Sequence, residues 1–268
     1  MLEFSKGHAY GNDFLYARKE AVTGVDLPAL AQELCDRHTG IGADGLVIYE
    51  PTRDGASMRL FNADGSRAEI SGNGVRALGA LLLRDAEPDV AEVTVHTEAG
   101  PKRLARIGRE GTRQMFRTAM GLPADLRGLG LEAGGESLKA VALDIGNPQL
   151  VLLGALPTRD RFERLGRALE HHALFPQGTN IEFAHVETPR TVRILIWERG
   201  VGPTSSSGTG SCAALIAAAA FGGADRVAEV IAPGGAQRVD WREDSVYLTG
   251  WAEVLFDGVW HRQIVRTR

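Results

Sequence analysis

Thr191 to Trp197 alternates β-branched and aliphatic residues, the period of a buried strand. A run of Gly, Ser and Thr follows. Cys212 to Phe221 is then almost wholly Ala, Leu and Ile, a strong helix former with no polar face. The pattern predicts strand, small-residue loop, buried helix. The same order occurs earlier in the chain. Met58 to Ala63 reads as a strand, Asp64-Gly65-Ser66 as a turn, and Val75 to Leu83 as a second mostly apolar helix behind the loop Ser71-Gly72-Asn73-Gly74. Ser-Gly-Asn-Gly and Ser-Gly-Thr-Gly, each opening an apolar helix, read as two halves of an internal duplication.

The remaining pattern is mostly strands. Glu3 to His8 and Leu15 to Ala17 flank a polar turn region. Asp26 to Arg37 has Leu27, Leu30, Ala31 and Leu34 at helical spacing. Leu46 to Tyr49 is a strand. Val90 to His96 and Lys102 to Gly108 predict a hairpin, and Arg113 to Ala119 a further strand. Gly121 to Gly135 is rich in Gly, Pro and Leu without clear period, and a domain crossing is placed near it. Strands follow at Leu138 to Ile145, Gln149 to Leu153 and Ile181 to Val186, with a helix over Arg159 to His171. The last patterns are Ala228 to Ala232, Arg238 to Trp241, Val246 to Leu248, Ala252 to Phe256 and Val259 to Val265. Asp257-Gly258 is a hairpin signal between the final two.

A length of 268 residues allows one large or two ordinary domains. Hydrophobic content of 44% and charged content of 24% belong to a globular protein in water. The net charge is -4 and the basic residues are scattered, so nucleic acid is not an expected partner. The first residues lack a charged-then-apolar leader pattern, and Ala213 to Phe221 is too short to span a bilayer, which points to the cytoplasm. Cys35 and Cys212 have neither metal spacing nor a disulfide framework and read as small core residues.

The two loops carry the chemistry. A helix start presents unpaired N–H groups and a partial positive charge, and glycine there lets an anion approach the backbone. If two similar domains face each other, both helix starts could converge on one ligand. Gly40-Ile41-Gly42-Ala43-Asp44-Gly45 is a third glycine loop, but a strand follows it, so the dinucleotide reading fails.

These motifs together resemble diaminopimelate epimerases. The resemblance rests on His8 to Phe14, Phe61 to Ser66, Gly72-Asn73-Gly74, Gly146-Asn147-Pro148, Phe175-Pro176 with Asn180-Ile181, Glu198 to Gly202, and Gly208-Thr209-Gly210. It runs in order across almost the whole chain. It implies two similar α/β (α+β) domains, each a curved, mainly antiparallel sheet around a central helix, with the active site in the cleft between them. The expected division is 1–118, completed by a C-terminal strand over 252–268, and 119–251. The implied reaction interconverts LL- and meso-2,6-diaminopimelate by two-base proton transfer at the α-carbon, in lysine and peptidoglycan precursor synthesis. It implies no cofactor, no metal and a homodimer.

By the same resemblance, Asn12, Asn62, Asn147, Asn180, Glu198 and Arg199 hold the amino and carboxylate groups of the substrate. Gly72, Asn73, Gly208 and Thr209 line the two cradles. The family places a cysteine at each helix start, where a thiolate is favoured. Here Ser71 and Ser207 stand at those places, with Glu198 to assist Ser207 as a third catalytic candidate. Serine also suits a helix N-cap. Gln149 replaces a histidine of many members, and Pro203 an acidic residue. A racemase or lyase acting on another amino acid, or a non-catalytic amino-acid binder, are the alternatives these departures leave open.

Overall fold

The computed structural model describes residues 1–68, 70–86 and 92–262. It separates into two compact units. One holds Met1–Thr118 and the chain from Trp251 onward; the other holds Ala119–Gly250.

In the first unit, β1 (Leu2–Ala9) and β2 (Asn12–Arg18) form an antiparallel hairpin. Its turn places Tyr10 and Gly11 at φ 55° and 85°, the left-handed region that glycine tolerates and tyrosine does not favour. After a short 3-10 turn, α1 (Leu27–Cys35) leads to β3 (Gly45–Thr52), which lies parallel to β2. β4 (Gly55–Asn62) returns antiparallel and is followed by β5 (Arg67–Ala68) and α2 (Gly72–Leu82). β6 (Glu92–Thr97) runs parallel to β4, and β7 (Gly100–Glu110) and β8 (Arg113–Ala119) continue antiparallel.

The second unit repeats this connectivity. β9 (Ala124–Ala133) pairs with β10 (Glu136–Asp144), and β10 forms a hairpin with β11 (Pro148–Leu153). After α3 (Arg159–Glu170), β12 (Asn180–Thr188) runs parallel to β11. β13 (Thr191–Glu198), β14 (Gly202–Thr204) and α4 (Gly208–Phe221) follow. β15 (Val227–Ala232) is parallel to β13, and β16 (Gly235–Trp241) returns antiparallel. β17 (Val246–Trp260) starts on β16 and ends on β1. The order hairpin, helix, hairpin, short strand, helix, hairpin occurs in both units, which is the duplication seen in the two loop motifs.

Each unit wraps its sheet around the helix that the glycine loop opens. In the first, Val75, Ala77 and Leu78 of α2 pack on Tyr16, Val47, Leu60 and Phe116. The opposite face of the sheet covers α1 through Leu15, Leu46 and Ile48. β2 is therefore buried on both faces, so its apolar run is nearly unbroken. In the second unit, α4 is buried on every side. Its alanines, with Leu215 and Ile216, pack on Val151, Ile194, Ile196 and Val230. α3 lies on the other face, against Leu150, Ile181, Phe183 and Trp197. Helix–sheet contact is close enough at Gly166 that a Cβ would stand 2.4 Å from the Trp197 ring.

Several expectations are corrected. The stretch 121–135, to which the sequence pattern assigns no element, is mostly β9. β9 is largely solvent-exposed, so it shows no apolar alternation, and its backbone pairing with β10 holds it. Asp257-Gly258 does not turn a hairpin. Both residues lie inside the continuous β17, opposite Ser5 and Phe4. Asp257 accepts from Ser5 Oγ at 2.6 Å and from Arg84, and a Cβ at Gly258 would lie 2.5 Å from the Phe4 ring. The first long helix stops at Cys35, before Arg37. Asp36 turns the chain there, accepting from the His38 and Thr39 backbone N–H groups, and these bonds hold its carboxyl down at about 2. Val90 and the end of the expected final strand, 263–265, lie outside the described residues, as do 263–268 of the expected C-terminal completion.

Candidate active site

Both serines cap the helices they precede. Ser71 has extended backbone and its Oγ accepts from the Gly74 N–H at 3.2 Å. Ser207 does the same for Gly210, also at 3.2 Å. One of the unpaired N–H groups of each first turn is satisfied in this way, and others remain to receive an anion. Neither first turn carries an acidic or a basic side chain of its own.

In the first unit, the loop before α2 meets the start of β2. Asn73 is buried and donates to Asn12 Oδ1 at 3.4 Å. Asn12 in turn donates to Asp44 Oδ2 at 2.7 Å, so Asp44 fixes which end of the Asn12 amide faces the loop. Asp44 is held by its neighbours: Arg37 bridges Asp44 and Asp13 at 2.9 and 2.7 Å, and Lys6 reaches Asp13 at 3.0 Å. Burial alone would raise the Asp13 carboxyl, but the hydrogen bonds and charges of Arg37 and Lys6 outweigh it and keep it low. Tyr16 anchors the helix start by donating to Gly74 O at 2.9 Å. Asn62 closes the neighbouring turn by donating to Ser66 Oγ at 2.9 Å, and its contact with the Asn12–Asn73 pair is indirect, through the Ala63–Asp44 backbone bond. Gly72 has no atom within 4 Å of the position a Cβ would take.

In the second unit the candidates form a denser group. Gln149 on β11, Asn180 and Glu182 on β12, and Glu198 on β13 share the face of the sheet that α4 covers. The register sets this: Gln149 is opposite Asn180, and Glu182 is opposite Ile196, two residues before Glu198. Asn180 accepts from the Arg199 N–H at 3.0 Å and donates to Pro148 O at 3.0 Å. The Arg199 guanidinium is exposed and donates to Gln177 O at 3.2 Å. Ser207 donates to the Glu198 carboxylate; burial pushes the Glu198 carboxyl up and this bond opposes the rise. One end of the Gln149 amide lies 3.0 and 3.2 Å from the two Glu182 oxygens. The other end lies 2.6 Å from Asn147 Oδ1 and 3.2 Å from Thr209 Oγ1. Pro203 sits exposed on β14, opposite Trp197.

Two groups escape sequence reasoning. The Asp13–Asp44–Arg37 cluster that orients Asn12 joins residues from β2 and from the turn after α1, and spacing alone does not pair them. Glu182 is fully buried. Its signal was the lone acid in the strand Ile181 to Val186, on the same face as Ala184. Cys35 and Cys212 are both buried, and burial, reinforced by Asp13 and Asp44, pushes the Cys35 thiol up to about 12. Among the described residues no group of three or more His, Cys, Asp or Glu could hold a metal ion. No helix among them is long and apolar enough to cross a membrane.

Two duplicated α+β units, each with a sheet around a capped, glycine-opened helix, form a fold shared with solved structures of a racemase and an epimerase. A probable proline racemase from Agrobacterium radiobacter superposes with a TM-score of 0.72 over 98% of this chain and 94% of its own, at 17% identity. A predicted epimerase from Pseudomonas aeruginosa does so with the same score over 98% and 100%, at 13% identity. Sequence narrows the class. The diaminopimelate epimerase profile matches residues 4–123 and 141–255. A diaminopimelate epimerase from Desulforudis audaxviator is 38% identical over 97% of this chain and all of its own length. One from Prochlorococcus marinus is 39% identical over 97% of this chain and 92% of its own. The chain belongs to the diaminopimelate epimerase family.

Proposed function

We propose that this protein is an isomerase that interconverts LL- and meso-2,6-diaminopimelate, and so serves lysine biosynthesis. The observation that carries the reading is family membership along almost the whole chain, with a serine-capped helix start in each unit. Inversion at an α-carbon needs one group to take the proton and another to return one on the opposite face. It also needs N–H donors to hold the carboxylate as negative charge builds. The reading assigns one serine hydroxyl to each proton transfer. Ser207 has a built-in partner. As its Oγ takes the α-proton, its own proton passes to the Glu198 carboxylate, whose raised proton affinity suits that task. Asn12, Asn62, Asn73, Asn147, Asn180 and Arg199 supply polar contacts to the amino and carboxylate groups, and the N–H groups after Gly72 and Gly208 the anion cradles. The same reading has the enzyme work without a cofactor, as a cytoplasmic homodimer.

One observation favours a second reading, an amino-acid binder without turnover. Among the described residues the Ser71 hydroxyl has only the hydrogen bond of a helix cap, from Gly74 N–H. Chiral analysis of diaminopimelate after incubation separates the two. Conversion of the LL to the meso isomer, lost in Ser207→Ala, supports the epimerase. Calorimetric binding with no change in isomer composition supports the binder.

A further inference from the structure

Glu182 is an acid in a place built for hydrocarbon. In its row of the sheet the neighbours are Val151 and Ile196; on its own face Asn180 precedes it and Ala184 follows. Val151, Ile196 and Ala184 belong to the core beneath α4. Glu182 and Gln149 are both 0% exposed, so neither relies on bulk water for a partner. The carboxyl also lies against the first turn of α4. A Cβ at Gly210 would stand 2.6 Å from Glu182 Oε1.

Gln149 spans the distance between this acid and two residues of the substrate site. An amide has a donor end and an acceptor end, so its direction depends on what Glu182 offers. A carboxylate only accepts. It would demand the Gln149 NH2, and the Gln149 carbonyl would then face Asn147 and Thr209 and take up a donor from each. A carboxylic acid instead donates its O–H to the Gln149 carbonyl across the 3.0 Å contact. The Gln149 NH2 then donates to Asn147 Oδ1 at 2.6 Å and faces Thr209 Oγ1 at 3.2 Å. In that state the Asn147 N–H groups and the Thr209 O–H are available to donate elsewhere.

We propose that Glu182 is a positioning residue that acts as a neutral acid: through Gln149 it makes Asn147 and Thr209 a pair of hydrogen-bond donors for a carboxylate group of the substrate. The identity of the ligand rests on the epimerase reading. The neutral state rests on the site. Burial pushes the Glu182 carboxyl well above the usual range, and the Glu198 charge on β13 adds to the rise. β11 contributes the uncharged Gln149, and the first turn of α4 carries no ionisable side chain of either sign. As pH rises far enough to ionise Glu182, Gln149 turns over, and the two donors become occupied. Carboxylate binding weakens on that limb.

The test uses the full chain with Glu182→Gln and Glu182→Leu. Glutamine keeps an NH2 that donates to the Gln149 carbonyl and never ionises; leucine leaves that carbonyl without a donor. Infrared spectra of the parent at neutral pH should show a protonated carboxyl band that both variants lose. By calorimetry with diaminopimelate, Glu182→Gln should bind within about threefold of the parent at neutral pH and should lack part of the parent's alkaline weakening. Glu182→Leu should bind roughly 10- to 100-fold more weakly, as expected for losing hydrogen bonds to a charged group. If the leucine variant does not fold, the alkaline limb of the glutamine variant decides. A parent that binds diaminopimelate but shows no band lost on substitution, or a glutamine variant with the parent's full alkaline weakening, overturns the role of Glu182. A parent that has the band but binds no diaminopimelate overturns the substrate reading while its neutral acid stands.

Discussion

Replacing Gly72 by alanine separates what the first helix start does for the fold from what it does for a ligand. Gly72 is the first residue of α2, its φ is not in the left-handed region, and an added Cβ meets no atom within 4 Å. Alanine therefore fits without strain and restricts the unfolded chain, for a gain of about 0.4–1 kcal/mol. That is a rise of a degree or more in melting temperature for a chain of this size. The open space is also where an anion must come to reach the N–H groups of the first turn. A methyl group there holds a carboxylate off by roughly the width of one carbon contact, about 3.5–4 Å. Loss of one or two charge-assisted hydrogen bonds, at about 1.5–3 kcal/mol each, predicts binding weaker by at least tenfold. Thermal unfolding and calorimetric titration with diaminopimelate, run on the same preparation, test both halves. A stable variant with undiminished affinity would refute the cradle. A marked loss of stability would refute the structural reading of Gly72.

Gly210→Ala should behave in the opposite way: its Cβ would meet Glu182 Oε1 at 2.6 Å and Ser207 Cβ at 3.1 Å, so overpacking of about 1–3 kcal/mol outweighs the helix gain and melting falls. Ser71→Ala and Ser207→Ala each remove a cap worth about 1 kcal/mol, so denaturant titration should show similar losses; Ser207→Ala should also raise the Glu198 carboxyl further, visible by carboxyl-labelled NMR. Stability should decline as pH rises from the ordinary glutamate range toward the folded values of two buried carboxyls. Glu182 and Glu198 bind protons more tightly folded than unfolded, so their contribution is complete below the ordinary glutamate range and is lost as pH rises through their folded values. Melting followed against pH checks this, and Glu182→Gln should flatten the decline.

The parts legible in the sequence are those whose physics is local. α4 needed only its Ala, Leu and Ile content, and the two serines their place before glycine-rich helix starts. β9 was hidden because it faces solvent along most of its length and is held by backbone bonds to β10, which leave no trace in side-chain type. Asp257-Gly258 misled because the pair is a turn former by propensity. Its aspartate instead bonds Ser5 and Arg84, and its glycine makes room for Phe4. At the site, Asn12 and Asn73 could be named singly, but not the Asp44 and Arg37 that orient Asn12 from another loop. Gln149 was visible only as a residue that cannot carry a proton. Its use emerges from Glu182 on the neighbouring strand, a partner set by register.

The central claim is that the serine-bearing site moves a proton at an α-carbon, and α-proton exchange measures it directly. The protein is incubated with LL-diaminopimelate in D2O, and loss of the α-proton signal is followed by NMR together with isomer composition. The account predicts exchange accompanied by the meso isomer, abolished in Ser207→Ala. No exchange at a ligand concentration shown by calorimetry to saturate the protein would contradict it.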